Sequence, residues 1–177
     1  MTKLKSNQQG IALFISLVLL LVLTIVGVSS VQSTSLEVRM ARNAHDSALA
    51  FQAAEAALRQ AEQVVEAGLV EANFTDAGTN GLWTVAPFGQ TPRWEDNSIW
   101  SGGTSAVVGQ QIVGVSAQPR YIIEFVAAVQ RPSNAIDIQT QTEANVRTFN
   151  IFRITARGVG GSANAQVLLQ SSYGSEV

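Results

Sequence analysis

The chain of 177 residues has no cysteine and a single histidine, His45. Neither a disulfide nor a thiolate metal site can form, so any head domain must hold together by packing alone. Without cysteine or a second histidine, nucleophile–base pairs and zinc sites also lose their usual parts, and nothing points to an enzyme, a metal or a cofactor. Charge is sparse, at 14% of residues against roughly 25% in soluble proteins. No acidic residue precedes Glu37, and both lysines, Lys3 and Lys5, lie in the first ten positions. Beyond them stand nine arginines against thirteen acids, a side-chain balance of −4. There is no basic stripe, so nucleic acid is not an evident partner.

What the sequence does have is one long apolar run. Gly10 to Val28 reads GIALFISLVLLLVLTIVGV, broken only by Ser16, Thr24 and Gly27. Carried to Val31 it gives 21 uncharged residues after Gly10, a helix of roughly 30 Å, about one hydrocarbon core. Lys3, Lys5 and the terminal amine predict a cytoplasmic leader with the remainder crossing the membrane. Three readings compete: a cleaved secretory signal, a signal anchor, or a leader cut at the cytoplasmic edge of the run. The first is the weakest, because a secretory core usually has roughly 7–15 residues.

A short basic leader ending in Gln9-Gly10 directly before an apolar helix resembles the class III signal of type IV prepilins. That resemblance implies cleavage after Gly10 by a prepilin peptidase and methylation of the new N-terminus, Ile11. It also implies a glutamate at the fifth mature position, where this chain has Ile15. A carboxylate inside an apolar segment is costly unless it meets a partner, and in ordinary pilins the partner is the neighbouring subunit's amine. The missing acid resembles a minor pilin near the filament tip and argues against an abundant shaft subunit.

From Ser29 to Leu69 there is no proline, and Leu36, Met40, Ala44, Ala48, Phe51, Ala54, Leu58, Ala61, Val65 and Leu69 advance by three or four. Arg39, Arg42, Asp46, Arg59, Glu62 and Glu66 occupy the opposite side, and Ala41 to Ala61 is dense in alanine. The pattern predicts one helix from Ile11 to about Val70, bending if anywhere near Gly27 and Ser29-Ser30; the alternative is two helices with a break near residues 29–35. Residues 73–119 are loop-like in composition, with at most a short strand at Gln111–Val115. Trp83, Trp94 and Trp100 within it are candidate partner-contact aromatics or, alternatively, local core.

The last third alternates in strand fashion. Tyr121, Ile123, Phe125, Ala127 and Val129 are expected on one face and Ile122, Glu124, Val126 and Ala128 on the other, with Arg131-Pro132-Ser133-Asn134 as the stop. Phe149–Arg157 and Ala165–Tyr173 read as two further strands joined through Gly158, Gly160 and Gly161. That glycine run precedes a strand rather than a helix, so it is a turn and not a phosphate loop. Glu95-Asp96 alone supplies too few oxygens for calcium, and Asn73-Phe74-Thr75 matches a glycosylation sequon that is common by chance.

PRYIIE at 119–124, FRITARGVGGSANA at 152–165, VLLQSSYG at 167–174 and the helical stretch Gln32–Glu62 together resemble minor pilins of the PilX family, leaving out roughly Asn73–Ala117. The expected fold is α+β and pilin-like: one long N-terminal helix, half transmembrane and half amphipathic, packed on a small antiparallel sheet. The expected parts are a leader (1–10), a transmembrane helix (11–31), its amphipathic continuation (32–72), a variable region (73–119) and the sheet (120–177). The resemblance implies a structural role in priming pilus assembly. Its implied partners are the prepilin peptidase, other minor pilins, the major pilin and a large PilY-type tip adhesin. The implied location is the inner membrane with a periplasmic head, then the surface pilus. A type II secretion pseudopilin and a signal-anchored periplasmic binding module are the rival readings.

Overall fold

The computed structural model describes residues 9–132 and 146–176; the leader lysines and the expected strand stop at Ser133-Asn134 lie outside them. By its internal contacts the chain divides into two units, one up to Ala44 and one from His45 onward. Helix α1 runs unbroken from Gln9 to Glu66, so the two-helix alternative does not hold. It ends four residues short of Val70, where Gly68, at φ +99°, donates its N–H to the Val65 carbonyl. A left-handed glycine closing the last turn in this way is a common helix stop.

In the first unit every residue from Gly10 to Ala44 is exposed. The helix there is long and apolar enough to cross a membrane. The two hydroxyls inside its apolar run are satisfied within the helix: Ser16 Oγ donates to the Leu13 carbonyl (2.8 Å) and Thr24 Oγ1 to that of Leu21 (2.7 Å). Such internal bonds remove the cost of placing a hydroxyl where no water can reach it.

The second unit is a helix packed on a sheet. Three long strands, β3 (Arg120–Pro132), β4 (Val146–Val159) and β5 (Gln166–Glu176), form the expected antiparallel meander. Two short strands from the loop-like region complete the sheet along β3: β1 (Leu82–Thr84) parallel and β2 (Ala106–Val107) antiparallel. The sheet is therefore mixed. Residues 73–119 also contain a five-residue helix, α2 (Asn97–Ser101), capped by Asp96, whose carboxylate accepts the Ser98 N–H at 2.9 Å.

The strand considered at Gln111–Val115 is absent. The Gln118 side chain takes both backbone groups of Ile112, accepting from its N–H (2.9 Å) and donating to its carbonyl (3.0 Å). Those groups are then engaged by a side chain rather than by a neighbouring strand.

On the helix side of the sheet, Ala57, Ala61 and Val65 pack with Phe74, Tyr121, Ile123, Phe152, Ile154 and Ala156. Phe74, Phe125 and Phe152 form a triad with ring centroids 5.6–5.9 Å apart, within the range of favourable aromatic pairs. The helix touches the sheet through small residues. A Cβ on Gly158 would overlap the Ala50 carbonyl oxygen and the Ala54 nitrogen and lie 2.9 Å from the Ala54 Cβ. Phe51, expected in this stripe, is instead 45% exposed. At the closest approach there is room for Ala50, Ala53 and Ala54 and not for a benzyl group, so the buried stripe is rotated away from Phe51.

The expected strand alternation also changes partway along β3. The register slips between Phe125 and Ala127, after which Ala128 lies opposite Asn150 and Val129 opposite Phe149. Cross-strand partners share a face, and a one-residue bulge exchanges faces beyond it. Ala128 thus takes the side of Phe125 and Phe152, while Ala127 and Val129 pass to the other.

Candidate functional site

Two regions bear on function: the exposed start of α1, and the head with the features that hold it. Gly10 lies in α1, and a Cβ added there would meet nothing within 4 Å. Among the described residues, neither packing nor a positive φ requires a glycine there. Ile11 and Ile15 are exposed, and Phe14, Ile15, Val18, Leu19 and Val22 border one shallow apolar groove. The first turn of α1 contains no acid.

In the head, polar staples tie the helix to the sheet. The Asp46 carboxylate accepts both the backbone N–H and the hydroxyl of Ser162 in the β4–β5 turn. The bonds from Ser162 hold the Asp46 carboxyl below its ordinary pKa, first through the hydroxyl and then through the N–H. Tyr173 OH donates to Glu66 Oε1 at 2.7 Å, and Gly109 N–H to Gln60 Oε1 at 3.0 Å. The Glu66 bond stabilises the neutral phenol and raises the Tyr173 pKa. These links join segments distant in sequence, as a disulfide would.

The three tryptophans converge on the sheet face away from α1. Trp83 and Trp100 are 6% and 5% exposed and share a cluster with Ile99 and Ile122, against which Trp94 packs. Trp83 Nε1 donates to the Thr104 carbonyl (2.9 Å) and Trp100 Nε1 to the Trp94 carbonyl (3.0 Å). Their indoles are thus engaged within the chain. A Cβ on Gly78, at φ +65°, would collide with the Trp83 ring, so this glycine is needed for the fit.

Beside Trp83 lies Glu124, which the sequence places on a strand face without marking it as a site; it is 1% exposed, and among the described residues neither carboxylate oxygen is hydrogen-bonded. Arg153 Nη1 approaches to 3.7 Å from the next strand. Arg93, stacked 4.8 Å over the Trp83 ring, contributes a second positive charge while pairing with Asp76 at 3.1 Å. Burial outweighs both arginines and pushes the Glu124 pKa up. The only signal in the sequence was a lone acid inside the apolar strand YIIEFVAAV. Among the described residues no three His, Asp or Glu side chains are grouped as a metal site.

Two family models match the chain: PilX N-terminal over residues 9–59, and type IV pilus assembly protein PilX C-term over residues 68–175. The chain belongs to the PilX family of type IV pilus assembly proteins. The PilX match takes in residues 73–117, the stretch that the resemblance in the sequence left out. It makes the chain a pilus-related protein with a minor-pilin type of architecture, anchored through its apolar helix. No curated protein and no solved structure matches it.

Proposed function

We propose that this PilX-family chain is a minor pilin that is trimmed after Gly10, N-methylated at Ile11 and built into the pilus near its tip. The observation that carries the proposal is the paired family match, which joins the apolar helix and the head in one pilus assembly protein. The unforced Gly10 at the start of the helix supports the cleavage site. Before assembly the helix sits in the inner membrane with the head in the periplasm. Afterwards the helix packs laterally among other minor pilins and the major pilin, with a PilY-type adhesin as a further partner. A pilus assembly family favours this reading over a secretion pseudopilin or an isolated binding module.

The tip position follows from Ile15. An amine at Ile11 can dock against a neighbour's glutamate, but Ile15 offers no acid in return. One neighbour contact is then favoured and the other is not, which suits a subunit at or near an end. Immunogold labelling of a tagged head is expected to mark pilus tips. Even labelling along the shaft would remove the end position, and absence from pili would remove incorporation altogether. Ile15→Glu is expected to leave membrane insertion intact and change which pilins co-purify.

A further inference from the structure

Arg120 on β3 and Arg157 on β4 are direct cross-strand partners. Like charges placed opposite one another in a sheet repel and destabilise it. The other head arginines with described side chains each face an acid: Arg59 lies 3.9 Å from Glu55, Arg93 3.1 Å from Asp76 and Arg153 3.7 Å from Glu124. Neither Arg120 nor Arg157 has a carboxylate within ion-pair distance among the described residues.

Both guanidiniums are held in place by neutral groups. Arg120 Nη1 donates to the Gly102 carbonyl (2.8 Å) and to Ser105 Oγ (3.1 Å). Arg157 Nη2 donates to Gln166 Oε1 (2.7 Å), and its guanidinium lies 5.9 Å from the Trp100 ring centroid. Burial and then the charge of Arg120 lower the Arg157 pKa, and an anion between the two guanidiniums would offset their mutual repulsion. The remaining N–H donors of both forks, Nε and one Nη each, make no hydrogen bond among the described residues.

The pair borders a cavity of about 180 Å³ that Trp100, Ser101, Gln118 and Val159 also line. That is below the roughly 300–1,000 Å³ of drug-sized sites, yet it admits one acidic group with a few attached atoms. Guanidinium forks match carboxylate and phosphate oxygens in geometry as well as charge. We propose that this cavity is a binding site for a single oxyanion group, a carboxylate or a phosphate, gripped between Arg120 and Arg157 against the Trp100 wall. The proposal stands on the head alone and does not depend on the pilus reading or on processing at Gly10.

Calorimetric titration of the detergent-solubilised full chain at low ionic strength tests it, with succinate and inorganic phosphate as separate probes. Saturable one-to-one binding of at least one probe is expected, and which probe binds more tightly distinguishes carboxylate from phosphate. Arg157→Gln is expected to weaken that binding about tenfold or more, the usual scale of a charge-assisted hydrogen bond. Arg157→Lys, which keeps the charge and loses the fork, is expected to fall between. Arg59→Gln, which changes an exposed arginine outside the cavity, is expected to bind like the parent. The thermal midpoint of tryptophan fluorescence checks that each variant is folded, since all three tryptophans lie in the head. No saturable binding by either probe overturns the proposal. Equal binding by Arg157→Gln, or an equal loss in Arg59→Gln, overturns it too, because the attraction would then be diffuse.

Discussion

The two ends of helix α1 use the same backbone for opposite purposes. From Gly10 to Ala44 large aliphatic side chains are exposed, among them Leu13 at 71% and Leu23 at 63%, and the hydroxyls of Ser16 and Thr24 bond within the helix. From Ala50 to Val65 the inward positions are small, and Ala50, Ala53, Ala54, Ala57 and Ala61 are at most 1% exposed. The first stretch presents area to whatever apolar medium surrounds it. The second gives up side-chain area for proximity, letting Gly158 approach the helix backbone directly. Hydrophobicity alone would rank the first stretch as the better core, yet the helix enters the actual core mainly through alanine. The difference lies in shape: burial in the head demands complementarity to a sheet, whereas contact with an apolar medium demands only a continuous apolar surface.

The comparison breaks most readily at the head. Phe152 is fully buried at the centre of the aromatic triad, and Phe152→Ala is expected to cost about 3–5 kcal/mol. Because Trp83, Trp94 and Trp100 all lie in the head, the thermal midpoint of tryptophan fluorescence reports that unit by itself. It is expected to fall by roughly ten degrees or more. Gly158→Ala comes next. The added methyl must displace the helix at Ala50 and Ala54, at a cost of about 1–3 kcal/mol. The same change at Gly27, where a Cβ meets nothing, is expected to leave that midpoint unchanged.

Glu124→Gln sharpens the contrast through pH. The Glu124 carboxyl has a folded pKa above its ordinary 4.5, so the folded head binds more protons than the unfolded chain across the interval. Stability from this group is complete below the ordinary value and declines as pH rises through the raised one. Glu124→Gln is therefore expected to raise the fluorescence midpoint at pH 7 and to change it little at pH 3. An equal effect at both pH values would point to a hydrogen-bonding cause instead. The smallest effect is expected at Phe51. Phe51→Ala should shift stability by no more than about 0.5 kcal/mol, as at other exposed sites; a core-sized loss would restore the stripe that periodicity implies.

Periodicity located the helix and the three long strands, because each pattern runs for nine residues or more. It failed where three-dimensional fit decides. Phe51 and Ala54 both satisfy a three-or-four spacing, and only the close approach of Gly158 selects alanine. The bulge after Phe125 leaves no mark in an alternating run, so the faces of Ala127 and Val129 were assigned one slip out. The small strands β1 and β2, three and two residues long, exist because β3 offers an edge rather than because their sequences demand them. At the start of α1, Gly10 is visible as the end of a leader pattern and Ile15 as a departure from it, whereas Glu124 and the Arg120–Arg157 pair required the fold to bring them together.

Intact mass spectrometry of the protein purified from membranes addresses the central claim most directly. A mature chain beginning at N-methylated Ile11 is the predicted result, with Gly10→Val retaining the leader while still residing in the membrane. Recovery of the parent protein with residues 1–10 still attached would contradict the account of it as a processed pilin.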